Sequence, residues 1–90
     1  MLIRTQDKTK LIEFSNITII EISKENFNIQ TPSYFLGIYS SKEKALKVLD
    51  MIEAKYLEPV YINDIGGNEY AKYEHKVFHM PADDEVEINE

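Results

Sequence analysis

One amphipathic helix, bracketed by its own start and stop signals, constrains this chain more than anything else in it. Ser40 and Ser41 each offer a hydroxyl to the first-turn N–H groups, and Glu43, three residues past Ser40, gives capping-box spacing. Ala45, Val48, Leu49, Ile52 and Tyr56 then recur at steps of three and four, with Leu46 at the edge of the stripe. Lys42, Lys44, Lys47, Asp50, Glu53 and Lys55 fall mostly on the other side. Pro59 cannot continue a helix and pushes Glu58 towards extended geometry. The spacing therefore predicts a helix over about 41–57. A helix of this length is marginal alone in water, so its apolar face must meet a sheet or a second copy of the chain.

The remainder reads as short strands. Leu2–Thr5 and Lys10–Phe14 predict a hairpin around Gln6–Thr9. Ile17–Ile22 is β-branched with apolar side chains on both faces, the pattern of a central strand. Phe27–Ile29 is a weaker strand. Tyr34–Tyr39 runs straight into the helix, and Gly37 within it marks a bulge or a close backbone approach. Val60–Ile62 and Lys76–Met80 follow the helix. Between them, 63–75 is the longest polar stretch, and Tyr70 and Tyr73 mark at most one helical turn in it. The expected fold is α+β: a small antiparallel sheet, a meander of about five to seven short strands, with the helix packed on one face.

Ninety residues make one domain, expected to end near residue 81. Residues 82–90 hold Asp83, Asp84, Glu85, Glu87 and Glu90 with no base, which places −5 of the formal −6 in an acidic tail expected to be flexible. The body is nearly neutral, so non-specific nucleic-acid binding is not expected. There is no cysteine, which rules out a disulfide framework or a thiolate site. Charges at Arg4, Asp7, Lys8, Lys10 and Glu13 interrupt any leader-like apolar run, and no apolar stretch reaches membrane-spanning length. A cytoplasmic location is the expectation.

No motif assembles a catalytic site, so an enzyme and a resident cofactor are not expected. His75 and His79 have a zinc-like spacing only on a helix, and in the strand predicted there they stand roughly 13 Å apart. Gly66-Gly67 lacks the lysine of a phosphate loop and reads as a turn. Two candidate sites remain. Arg4, the chain's sole arginine, forms with Gln6, Lys8 and Lys10 a polar, basic corner suited to an anion such as a nucleotide phosphate. Tyr34, Tyr39, Tyr61, Tyr70 and Tyr73 exceed what a small core needs and are candidates for stacking or for an interface.

Leu2–Lys8, Gly37–Ala45 continuing through Val48–Ile52, and Val77–Pro81 together resemble small uncharacterised proteins carried by phages and prophages of low-GC Gram-positive bacteria. The resemblance covers about half the chain and skips 16–34. It carries no activity and no residue role. It implies a setting in which small non-enzymatic proteins bind and inhibit or modulate a host protein, such as a defence component. A homo-oligomeric binder that sequesters a nucleotide signal, and a minor structural or assembly protein, are the other expectations.

Overall fold

In the computed structural model, residues 1–63, 69–72 and 76–88 are described. Among these residues eight short strands and one long helix follow in the order β1 (Leu2–Arg4), β2 (Leu11–Glu13), β3 (Glu21–Ile22), β4 (Ile29–Gln30), β5 (Phe35–Gly37), α1 (Lys42–Leu57), β6 (Val60–Asn63), β7 (Glu69–Lys72) and β8 (Val77–His79). Single turns of 3-10 helix stand at Phe14–Asn16 and Asp83–Glu85. The α+β class is as the sequence predicts. The strands, however, form three sheets rather than one meander: β2-β1-β8, β3-β4-β5 and the pair β6-β7.

The hairpin at the start of the chain forms in register, with Leu2, Ile3 and Arg4 facing Glu13, Ile12 and Leu11. On its other side β1 pairs with β8 in parallel, a pairing the meander did not anticipate. Alternation then sorts the side chains. Ile3, Ile12 and Phe78 point inwards and are buried, whereas Arg4, Leu11 and His79 share the outer face. In the second sheet Ile29 and Leu36 are the inward residues. Helix α1 contributes Ala45, Val48 and Ile52 to the same core, which Tyr39, Met80 and Val86 complete.

The helix begins where its sequence says it should. Ser41 is extended and its hydroxyl accepts the Lys44 N–H at 3.2 Å. Ser40, the other candidate cap, instead turns its N–H to Asp83. At the far end the Lys76 ammonium, itself buried, donates to the carbonyls of Lys55, Tyr56 and Glu58. It adds a donor at the helix end, where the Lys55 carbonyl also accepts from Glu58 N–H, and sits at the negative end of the helix dipole. Tyr56, assigned above to the apolar stripe, is half exposed and stacks on Phe14 with ring centroids 4.9 Å apart.

Three expectations are corrected. Ile17–Ile22 is not a central strand; only Glu21–Ile22 pairs, at the edge of its sheet, and Ile19 is exposed. Ile17, Ile20 and Ile22 still pack against the core. An apolar run can feed a core without a ladder, and the 3-10 turn at Phe14–Asn16 takes the chain out of line with any neighbour. The strands at the centres of their sheets are β1 and β4. Residues 69–72, placed in a loop with one helical turn, form β7 against β6. The folded body also runs past the boundary expected at 81: Val86 is buried in the core and the 3-10 turn before it is hydrogen-bonded to the body.

Candidate functional site

The site begins with a strand edge that is unpaired among the described residues. Thr5 N–H donates to the Lys10 carbonyl and Phe14 N–H to the Met1 carbonyl, so the hydrogen-bonded pairs of the hairpin are 5 with 10, 3 with 12 and 1 with 14. The intervening residues, Leu11 and Glu13, therefore turn their peptide groups away from β1. Since β2 is the outer strand of its sheet, those groups line its open edge.

A short turn builds the wall opposite. The Thr31 hydroxyl, in a buried residue, accepts the N–H groups of Ser33 and Tyr34 at 3.2 and 2.8 Å, and Thr31 N–H donates to the Tyr34 carbonyl at 2.7 Å. Pro32, with φ preset for a turn, sits between them. The turn holds Tyr34 out, 46% exposed, across from β2. Between the two lies an open groove of about 510 Å³ lined by Lys10, Leu11, Ile12, Glu13, Asn16 and Tyr34. Leu11, half exposed, gives it an apolar floor, Lys10 stands at one end and Glu13 at the other.

The basic corner is only partly assembled. Gln6 is turned inwards. Its side-chain amide accepts from Ile38 N–H at 2.8 Å, donates to Ile38 C=O at 3.0 Å and reaches the Pro81 carbonyl at 3.1 Å, while its backbone N–H donates to Leu36. It acts as an extra peptide unit joining β1, β5 and the C-terminal segment. Lys8 takes a left-handed conformation, φ 66°, at the hairpin turn, and Lys8 and Lys10 are exposed. Arg4 is half-buried and its Nη1 donates to the Lys8 carbonyl at 3.1 Å. Its Nε–H is shielded from water and meets no acceptor among the described residues. Thus Arg4 meets the backbone of Lys8, Lys10 alone of the four lines the groove, and Gln6 is engaged elsewhere.

The acid within this turn is bound through one of its oxygens. Asp7 Oδ1 accepts from the hydroxyls of Thr5 and Thr9 and from Thr9 N–H at 2.6, 2.7 and 3.0 Å. These bonds, the Thr5 hydroxyl foremost, hold its carboxyl down at about 2, below the ordinary 3.8.

Of the tyrosines, only Tyr34 stands at the groove among the described residues. Tyr39, placed among the interface candidates, is buried: its hydroxyl donates to the Pro81 carbonyl at 2.7 Å. Burial pushes its phenol up, and the carboxylates of Asp83 and Glu85 add to that. Gly37 explains the fit, since a Cβ there would come within 3.1 Å of the Tyr39 ring and 3.3 Å of the Gln6 stem. The expectations for the Tyr61 and Tyr70 side chains, for Tyr73 and His75 and for the Gly66-Gly67 turn lie outside the described residues. His79 is exposed beside Arg4 on the outer face of its sheet. Among the described residues no three His, Cys, Asp or Glu side chains could hold a metal, and no helix is long and apolar enough to cross a membrane.

Sequence reasoning misses both the groove and the role of Gln6. Asn16 and Tyr34 are brought to β2 by turns whose closure the linear chain does not display. Lys10 and Tyr34, candidates from the sequence, do line it, and the Thr31-Pro32-Ser33 run, a signal for a turn, is the trace of its far wall. No protein-family model, curated protein or solved structure matches this chain.

Proposed function

We propose that the chain is a non-catalytic binding module that takes up an extended segment of another protein along the open edge of β2. The observation that carries this reading is the groove itself. The outward peptide groups of Leu11 and Glu13 offer main-chain pairing, while Leu11 and Tyr34 offer apolar contact on either side. Strand addition works in this way, with backbone bonds giving affinity and flanking side chains giving selectivity. Tyrosine is also among the side chains favoured as interface anchors. In the phage setting that the sequence resemblance implies, the partner is a host protein that the module inhibits or modulates.

Leu11→Pro tests the reading with little effect on the fold. The Leu11 N–H points away from β1, so proline removes a donor on the free edge and leaves the hairpin bonds intact. Capture from a host lysate is compared between wild type, Leu11→Pro and Tyr34→Ala. A protein retained by wild type and lost from both variants is the expected result. The same retained set on all three would overturn the assignment to β2.

A further inference from the structure

We propose that Arg4 and His79 form a site for a small oxyanion, a phosphate or carboxylate group, on the outer face of the first sheet. The site stands apart from the β2 groove and does not depend on strand addition. Arg4 lies on the central strand β1, and β8 runs beside it in parallel with His79 directly opposite. Met80 N–H donates to the Arg4 carbonyl at 3.0 Å and fixes that register. Residues in register share a face, so the Arg4 and His79 side chains leave the sheet together from strands about 4.8 Å apart.

The guanidinium supplies the main observation. Nη1 donates to the carbonyl of Lys8, whose left-handed conformation, φ 66°, belongs to the hairpin turn. That bond holds one side of the group. On the other side Nε–H and Nη2 form the two-donor edge that grips a carboxylate or phosphate with parallel bonds. Neither atom meets an acceptor among the described residues, and Nε–H is screened from water as well. It is the one buried side-chain polar atom among those residues without a partner. An unanswered donor of this kind costs stability, and an acceptor arriving from outside removes that cost.

No carboxylate of the described residues fills the role. Asp7 turns to Thr5 and Thr9, and Asp83 meets Ser40 and Lys44. Glu13, which shares the outer face, lies 3.7 Å from the N-terminal ammonium. The residues that flank Arg4 across the ladder, Leu11 and His79, are both exposed, so the approach is from open solvent. His79 can add a ring N–H to the two donors of Arg4.

The sole arginine gives a single Nε–H signal in NMR spectra of the nitrogen-labelled full chain. The chain is titrated with sodium phosphate and, separately, with sodium acetate, against sodium chloride at matched ionic strength. The Arg4 Nε–H and the His79 amide are expected to shift saturably with at least one oxyanion, and the one that saturates names the group the site takes. Arg4→Lys keeps the charge without the fork and should weaken binding about tenfold, read at the His79 amide. His79→Gln should weaken it about threefold, read at the Arg4 Nε–H. Amide spectra confirm that both variants are folded. Shifts no larger than those with chloride, or saturation unchanged in either variant, would overturn the inference.

Discussion

Gln6 shows how one side chain can hold a small fold together. Its amide meets both the N–H and the C=O of Ile38 and also reaches Pro81, so it splices the first sheet to the second and to the C-terminal segment. Gln6→Leu keeps the stem and removes all three bonds, and the expected cost is about 1–3 kcal/mol in urea unfolding, with the Ile38 amide exchanging faster. Acid sensitivity is also decided by single residues. Asp7 sits at about 2, and Asp83 is likewise held low, first by Ser40 N–H and then by Lys44. Both carboxyls are lower in the folded chain than in the unfolded one. Their contribution is therefore whole above the unfolded value near 3.8 and is lost as pH falls below it, for Asp7 towards about 2. Urea midpoints should be flat from neutral pH to about 5 and then decline, and the double variant Asp7→Asn, Asp83→Asn should flatten the acid limb. A wild-type midpoint unchanged down to pH of about 2 would contradict this. At this scale Gly37, which lets the Tyr39 ring and the Gln6 stem approach, was legible in the sequence, because a glycine inside an aromatic strand marks a bulge or a close approach. Gln6 was not, since its partners lie far along the chain and an amide beside basic residues suggests an anion site.

At the scale of elements, α1 was readable because everything that forms it is local. Its stripe repeats every three or four residues, Ser41 stands one residue before it and Pro59 follows its end. The strands were readable only in part. Ile17–Ile22 has the composition of a core strand, but pairing needs a neighbour in register, and β4 offers one only at Glu21 and Ile22. Conversely, β4 itself looked weak because Ile29 has polar neighbours, yet it lies at the centre of its sheet. What ends α1 also comes from afar. Lys76, at the threshold of β8, extends over the last turn and fixes the helix to the strand that follows the β6-β7 pair. Lys76→Met retains the stem and leaves the carbonyls of Lys55, Tyr56 and Glu58 without this donor. The expected loss is roughly 2–4 kcal/mol, with early fraying of α1 visible as faster amide exchange near its C-terminus before global unfolding. If Lys76→Met unfolds at the wild-type urea midpoint, the cap is not what secures the helix end.

The whole molecule is more extended than its mass requires. Its radius of gyration is 15.0 Å, against about 12 Å for a compact domain of this length. It exposes 6472 Å², where a compact monomer of 10.5 kDa exposes about 5,400 Å². Such a chain has little core to spare, and the C-terminal segment becomes decisive. The Pro81 carbonyl accepts from Tyr39 and Gln6, Asp83 meets Ser40 and Lys44, and Lys47 donates to the Glu87 carbonyl. Val86 then enters the core at 4% exposure. The run of acids hid this in the sequence, because a lone valine among carboxylates has the composition of a solvated tail. The two views predict different outcomes for a chain ended at Ala82. A solvated tail could be removed at no cost. A docked segment takes with it the burial of Val86, worth roughly 1.5–3 kcal/mol, together with the Asp83 contacts at the start of α1. For a domain of this size that corresponds to a fall in Tm on the order of 10 °C. Val86→Ala should reproduce part of the fall while leaving every acid in place. Unchanged melting of both chains would show that the segment is carried by the fold rather than built into it.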